Sequence, residues 1–375
     1  MAESRSVLMP GDPAPWFRAP SNVNPDFDFA SAAGRYIVLS FMGPADRPHA
    51  AEQLQGFLAE APIFANLDNY FFGVVIGTKQ TQGPFAERRS GMDVFWDADG
   101  AISRQFGALT QGDGDLAGFE PVTYILGLDL RVIAMTRPAD PAEHARTTLD
   151  LLKRLPPLGA PQLGNRQAPV LYLPNVFEPA LCRRLIEGYQ QGGGRESGFM
   201  REHGGKTVLV VDHKHKRRSD WTIEDEALRD FLRQRIKRRI VPEIEKAFQF
   251  KVTRMERYIV ACYDAEVGGY FQAHRDNTTK GTAHRRFAVT LNLNAEEYEG
   301  GELMFPEFGR TSYKPPTGGA VVFSCGLLHQ ALPVTRGKRY VFLPFLYDEA
   351  AAKQREAANA YLGDNVAAYQ FGGER

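Results

Sequence analysis

The chain has 375 residues, 43% of them hydrophobic and 11% aromatic, which is enough for two domains or more with sizeable cores and excludes a disordered polymer. Forty-five Lys and Arg cancel 45 Asp and Glu for a formal net charge of +0, so no global charge draws the chain to nucleic acid or to an anionic membrane. The three cysteines, Cys182, Cys262 and Cys325, are odd in number and scattered, which excludes a disulfide framework and zinc-ligand spacing.

In chain order, Met1-Ala2-Glu3-Ser4-Arg5 leads into a proline-rich start rather than a signal-peptide core, and no apolar run approaches ~20 residues. A cytoplasmic protein with no membrane partner is expected. Residues 1–158 alternate strand and helix patterns. Tyr36–Met42 and Phe71–Gly77 read as apolar strands, Ala50–Ala61 as a helix, and Val122–Gly127 with Arg131–Met135 as a hairpin. Pro141–Leu155 carries Ala142, Ala145, Leu149 and Leu152 at helical spacing and is ended by Pro156-Pro157. Alternating β and α pieces argue an α/β layer fold.

From Pro10-Gly11-Asp12-Pro13-Ala14-Pro15 through the strand Ile37–Phe41, this half resembles a peroxiredoxin, a thioredoxin-fold family. The family's loop reads Thr-x-x-Cys where this chain has Arg47-Pro48-His49-Ala50, and no cysteine precedes Cys182. Peroxide reduction needs a low-pKa thiolate, so the resemblance implies a non-catalytic domain that docks a partner or the second domain. His49 reads as a solvated loop histidine. A thiol peroxidase with an accessory domain is the reading this absence opposes.

Residues 159–168 read as a linker and 169–375 as the second domain. Val170–Leu173 is a short strand, and Phe177-Glu178-Pro179 opens a helix through Tyr189. Gln190–Gly194 breaks it and begins a stretch read as flexible to Gly205, before a strand at Val208–Val211. The cationic run Asp212–Arg218 contains His213-Lys214-His215, where neighbouring cations oppose a metal, so it reads as a solvated basic loop. Glu226–Phe248 reads as one long amphipathic helix.

The segment from Tyr258 to Asp348 holds the chemistry. His274-Arg275-Asp276 would place two ligands on one face of a strand, since side chains at i and i+2 share a face, and His329 follows across strand-like runs at Arg286–Asn294, Glu302–Pro306, Gly319–Ser324 and Tyr340–Leu346. Two imidazoles and a carboxylate suit a divalent iron that keeps open positions. Strands at this pitch suggest a jelly roll, a double-stranded β-helix with bracing helices. Arg339, inside the last apolar run, calls for an anion, and its planar fork matches a carboxylate.

With Tyr263, Gly268-Gly269, Leu293-Asn294, Gly300-Gly301-Glu302-Leu303, Gly318, Phe323, Leu328, Pro333-Val334 and Gly337 in order around these residues, the segment resembles the Fe(II)/2-oxoglutarate-dependent dioxygenases, in the branch like prolyl 4-hydroxylase. The resemblance implies that His274, Asp276 and His329 hold iron, that Arg339 pairs with the far carboxylate of 2-oxoglutarate, and that Tyr263 hydrogen-bonds it. O2 would be a further cosubstrate and ascorbate a candidate reductant. Animal collagen prolyl 4-hydroxylases carry lysine at the Arg339 position, so prolyl specificity does not follow. Hydroxylation of an unactivated C–H bond, with release of succinate and CO2, is expected; Asp276 argues against halogenation, which needs a small residue in its place. The substrate is expected to be a peptide, protein or amino-acid-like molecule, met by Arg217, Arg218 and Trp221 at the cavity mouth, with no nucleic acid involved. An inactive oxygenase-fold sensor and a hydroxylase of free amino acids or small metabolites are the alternatives.

Overall fold

The computed structural model describes residues 7–66, 68–78, 83–110, 118–137, 140–164 and 166–369; the Met1–Arg5 start and Asn165 of the expected linker lie outside them. The chain divides into two compact units, Met1–Gln162 and Leu163–Arg375.

In the first unit five strands form one sheet in the order Met92–Asp97, Asn69–Ile76, Tyr36–Pro44, Val122–Leu126, Val132–Thr136. The first three run parallel and the last two antiparallel. Both faces are covered, which is why the central strand is a continuous apolar run. Ile37, Leu39 and Phe41 pack with Phe17, Phe29 and Phe95 on one side. Tyr36, Val38 and Met42 meet Leu54 and Phe57 of the helix Pro48–Leu58 and Leu149 of the helix Pro141–Leu152 on the other. Arg47 caps the first of these helices, so His49 sits in its first turn, half-buried with Nε2 enclosed, and is not the solvated loop residue expected. The expected β, α and hairpin pieces are present in this thioredoxin-like layer, with helix ends shifted by a few residues.

The second unit is a double sheet, the jelly-roll layering expected. The larger sheet has nine strands among the described residues; its spine runs Arg254–Glu256, Phe345–Tyr347, Phe287–Asn292, Lys338–Phe342, Ile259–Asp264, Ser219–Thr222, Arg195–Glu196. The smaller runs Lys216–Arg217, Tyr270–His274, His329–Ala331, Leu303–Met304, Ser312–Tyr313. Strand alternation decides what each residue does. Val260 and Cys262 face a helical layer with Leu185, Leu232 and Ile244, whereas Ala261 and Tyr263 face the interior with Phe271 and Ala331 of the smaller sheet.

Three local expectations need correction. The long helix is two, Glu226–Arg239 and Val241–Phe248, because Pro242 can enter a first helical turn but has no N–H to continue one. The stretch read as flexible is ordered: Arg195–Glu196 pairs with Ser219–Thr222, and Phe199–His203 forms a hairpin with Lys206–Val210. Its two-residue turn, Gly204-Gly205, has φ of 58° and 76°, the doubly left-handed geometry that glycine adopts without strain. The final apolar run is two strands, Lys338–Phe342 and Phe345–Tyr347, parted at Pro344.

Candidate metal and oxo-acid site

The smaller sheet sets two of the three candidate ligand side chains side by side, because His274 and His329 are register partners on neighbouring strands. Asp276 is not on the strand face that period-two counting suggested. The strand ends at His274, and Asp276 lies in the following turn, where its amide donates to the carbonyl of Cys325 at 3.0 Å. That bond brings the carboxylate between the imidazoles: Oδ1 is 3.6 Å from His274 Nε2, and Oδ2 is 3.3 Å from His329 Nε2. The three ligand atoms lie within 4.8 Å of one another, the one such cluster of His, Cys, Asp and Glu among the described residues.

The rings are oriented by backbone. His274 Nδ1 lies 2.7 Å from Gln272 O and His329 Nδ1 lies 3.0 Å from Leu327 O. A ring nitrogen facing a carbonyl must carry the proton, so the neutral form of either imidazole has its Nε2 lone pair turned toward Asp276, the outer-sphere arrangement that suits a metal ligand. Burial, against the pull of Asp276, pushes His329 down to about 4, keeping it neutral near pH 7. Burial would raise Asp276, but His329, His274 and Arg285 outweigh it and hold the carboxyl well below the usual carboxylate range. Phe271 stacks on His274 at 3.6 Å and Phe323 meets His329 edge-on at 4.6 Å. This donor set fits a divalent iron.

Arg339 comes from the larger sheet, opposite Tyr263 in register. It is 3% exposed, its Nε has no hydrogen-bond partner, and no carboxylate among the described residues pairs with it. Its guanidinium lies 5.1 Å from the Tyr263 ring centre. Tyr298, whose hydroxyl is also buried without a partner, is raised by burial against the pull of Arg339. Gly301, at φ 69°, completes the wall; a Cβ there would come within 3.0 Å of Arg339 Cδ. Enclosing a cation without a counter-ion costs several kcal/mol, so this pocket suits an anion such as an oxo acid's carboxylate. The nearby cations are spent, Arg336 on Glu299 and Lys338 on Asp264.

Both clusters border one cleft of about 1360 Å³ within the second unit. Arg218 and Trp221 also border it; Arg217 does not. Neighbours on a strand face opposite ways, so Arg217 turns out to donate to the carbonyls of His213 at 3.2 Å and Val267 at 2.9 Å, while Lys216 turns in and is 5% exposed. Arg218 grips both oxygens of Asp220 at 2.7 Å and reaches the Tyr263 hydroxyl at 3.4 Å. Burial would raise Asp220, yet Arg218, Arg257 and Lys216 bring it down to about 2. Nor is the whole basic run solvated. His215 packs on Phe199 at 4.4 Å and on Phe271 at 5.5 Å, and burial lowers its imidazole; His213 pairs with Glu196 in the open. Cys325, a buried thiol, supplies through its backbone carbonyl the bond that holds Asp276.

Sequence reasoning missed Lys216, Asp220, Arg257 and Tyr298. Lys216 lay inside a run whose charge masked its burial, and Arg257 carries no local signal at all.

Comparison with known proteins accords with both halves. Residues 258–347 match the 2OG-Fe(II) oxygenase superfamily, and residues 10–135 match the AhpC/TSA family. A PKHD-type hydroxylase of Synechococcus sp. (strain JA-2-3B'a(2-13)) is 31% identical over 117 residues, 28% of this chain and 51% of that protein; the chain thus spans about half the length of the curated relatives first matched. Among solved structures, peroxidoxin BcpB from Mycobacterium tuberculosis is 23% identical, covering 40% of this chain and 99% of that one at a TM-score of 0.36. A Pseudomonas putida prolyl-4-hydroxylase is 17% identical, covering 49% and 94% at 0.38.

Proposed function

We propose that the second unit is an Fe(II)- and 2-oxoglutarate-dependent dioxygenase that hydroxylates an unactivated C–H bond of a peptide, protein or amino-acid-like substrate. The observation that carries this reading is the register pairing of His274 with His329, with the Asp276 carboxylate held between their Nε2 atoms. The match to the oxygenase superfamily and the hydroxylase named among the relatives support it.

The carbonyls of Gln272 and Leu327 hold the two imidazoles in the metal-binding tautomer, and the Cys325 carbonyl holds Asp276 in place. Bound iron and 2-oxoglutarate, with O2 and with ascorbate as a candidate reductant, supply the oxidative decarboxylation that turns C–H into C–OH and releases succinate and CO2. Arg339 pairs with the far carboxylate of the oxo acid, beside Tyr263 and the Tyr298 hydroxyl. Phe271, Leu303 and Phe323 form an apolar wall that excludes water from the reacting carbon. The first unit, lacking a thiolate, acts through its surface by docking a partner or the oxygenase unit, in a cytoplasmic setting.

Alanine at His274 or His329 is expected to abolish Fe(II) binding and succinate release while far-UV circular dichroism stays unchanged. Full 2-oxoglutarate turnover in either variant would defeat the assignment.

A further inference from the structure

One group of charges on the cleft wall is given no role in holding the metal or the oxo acid by the reading above. Arg218 and Arg257 converge on the single carboxylate of Asp220. Arg218 takes both of its oxygens at 2.7 Å, leaving Arg257 a shared contact with Oδ2 at 3.4 Å. Lys216 touches no carboxylate: its Nζ donates to Ser197 Oγ at 2.7 Å and to the Gly198 carbonyl at 2.6 Å. The neighbouring Arg285 stacks on the same ring as Arg257, Phe345, but is engaged by Glu256 at 2.7 Å. Arg257 itself stands at φ 67°, a left-handed conformation that a non-glycine residue holds only at a cost and that clusters at ligand sites. Its side chain remains 29% accessible and borders the cleft. Two guanidinium groups thus share the one carboxylate of Asp220 on this wall, an imbalance that an anion would relieve.

We infer that Arg257, with Lys216 beside it, forms an anion subsite that holds a carboxylate of the molecule being hydroxylated. The inference rests on the hydroxylase reading and names its substrate class. Placement supports it. Lys216 Nζ lies 5.0 Å from the centre of the Phe271 ring, which stacks on His274, so this side of the subsite is one ring away from the candidate metal ligands. On its other side, Arg218, which shares Asp220 with Arg257, lies 5.8 Å from the centre of the Tyr263 ring, and Arg339 of the oxo-acid pocket lies 5.1 Å from it. The carboxylate has two sources, the α-carboxylate of a free amino acid or an acidic group of a peptide.

The full chain, loaded with Fe(II) and 2-oxoglutarate, is offered the standard amino acids, each beside its α-carboxamide, and short acidic peptides, each beside its Asn/Gln counterpart. Succinate release and a hydroxyl mass gain are read. The carboxylate form is expected to surpass its amide by about tenfold or more, and the arm that responds identifies the source. Arg257→Gln is expected to raise KM for the responding probe about tenfold while KM for 2-oxoglutarate moves less than about twofold, and Arg257→Lys to restore part of the loss. In the metal-free chain the responding carboxylate should raise the unfolding temperature and its amide should not. Carboxylates no better than amides in both arms, silence from every probe included, overturn the inference. So does an equal rise in KM for 2-oxoglutarate, which would make Arg257 a cosubstrate ligand. Failure of the hydroxylase reading shows separately, as Fe(II)-loaded protein that does not bind 2-oxoglutarate, and would remove this inference with it.

Discussion

Two buried side chains with unpartnered ring or guanidinium nitrogens set the residue-scale expectations. Arg339 is enclosed with its Nε orphaned, so a carboxylate arriving there gains a charge-assisted pair worth about 1.5–3 kcal/mol. Arg339→Ala should weaken 2-oxoglutarate binding by roughly 10- to 150-fold in a calorimetric titration; unchanged affinity would mean that another group anchors the oxo acid. His144, in the first unit, is 0% exposed with both ring nitrogens unbonded among the described residues. Burial, and then nearby His49, push its imidazole from 6.5 down to about 4. The folded state thus binds a proton less readily than the unfolded one, so this contribution is fully present above pH 6.5 and is lost as pH falls toward 4. The loss should total on the order of 3 kcal/mol, at about 1.4 kcal/mol per pH unit. In a Trp221→Phe background the remaining tryptophans, Trp16 and Trp96, report the first unit. Urea titrations between pH 7 and 5 should show its stability falling, and His144→Leu should flatten the slope. An unaltered slope would assign the pH dependence to other groups.

Among the elements, the hairpin Phe199–His203 with Lys206–Val210 joins local chemistry to the cleft. Its Gly204-Gly205 turn sets the register His203↔Lys206, and Phe199, Met200, Arg201, Glu202, Thr207 and Leu209 border the cavity. Thr207 and Leu209 are tied to the C-terminal segment, through Gly363 N to Thr207 O at 2.9 Å and Asn365 Nδ2 to Leu209 O at 2.9 Å. Valine in place of Gly205 must adopt a left-handed φ at a cost of about 1–3 kcal/mol, which multiplies the opened population by about 5–150. Limited trypsin digestion at Arg201 and Lys206 should accelerate accordingly, and KM for the hydroxylated substrate should rise. Cleavage at the unmodified rate would show that the C-terminal ties, rather than the turn, hold the hairpin.

At the scale of the whole molecule, the thiol inventory separates fold from function in the first unit. A peroxiredoxin-like layer is present, yet the three cysteines all lie in the second unit and are buried. Burial pushes Cys182 up to about 12, Cys262 up to about 11 and Cys325 well above its ordinary range. None offers a thiolate near pH 7. The full-length His274→Ala protein, supplied with a thiol reductant, should consume hydrogen peroxide no faster than a heat-denatured control, and a chromogenic disulfide should label its thiols only on unfolding. Peroxide turnover above that control would overturn the non-catalytic reading.

Residue types and spacing by themselves determined the two-unit organisation, the absent thiolate, and the candidacy of His274, Asp276, His329 and Arg339. Such chemistry is written in single residues at fixed offsets within strands, and apolar runs mark strands whichever way they face. Tertiary structure alone decided how the carboxylate reaches the imidazoles, since Asp276 is placed by a carbonyl about 50 positions later rather than by strand alternation. It also decided that Lys216 turns inward and Arg217 outward, because alternation says that neighbours differ but not which face a second sheet will cover. Arg257 is the extreme case. Nothing near it in sequence marks it, and its place beside Asp220 and Phe345 comes from strands that meet only when the sheets close.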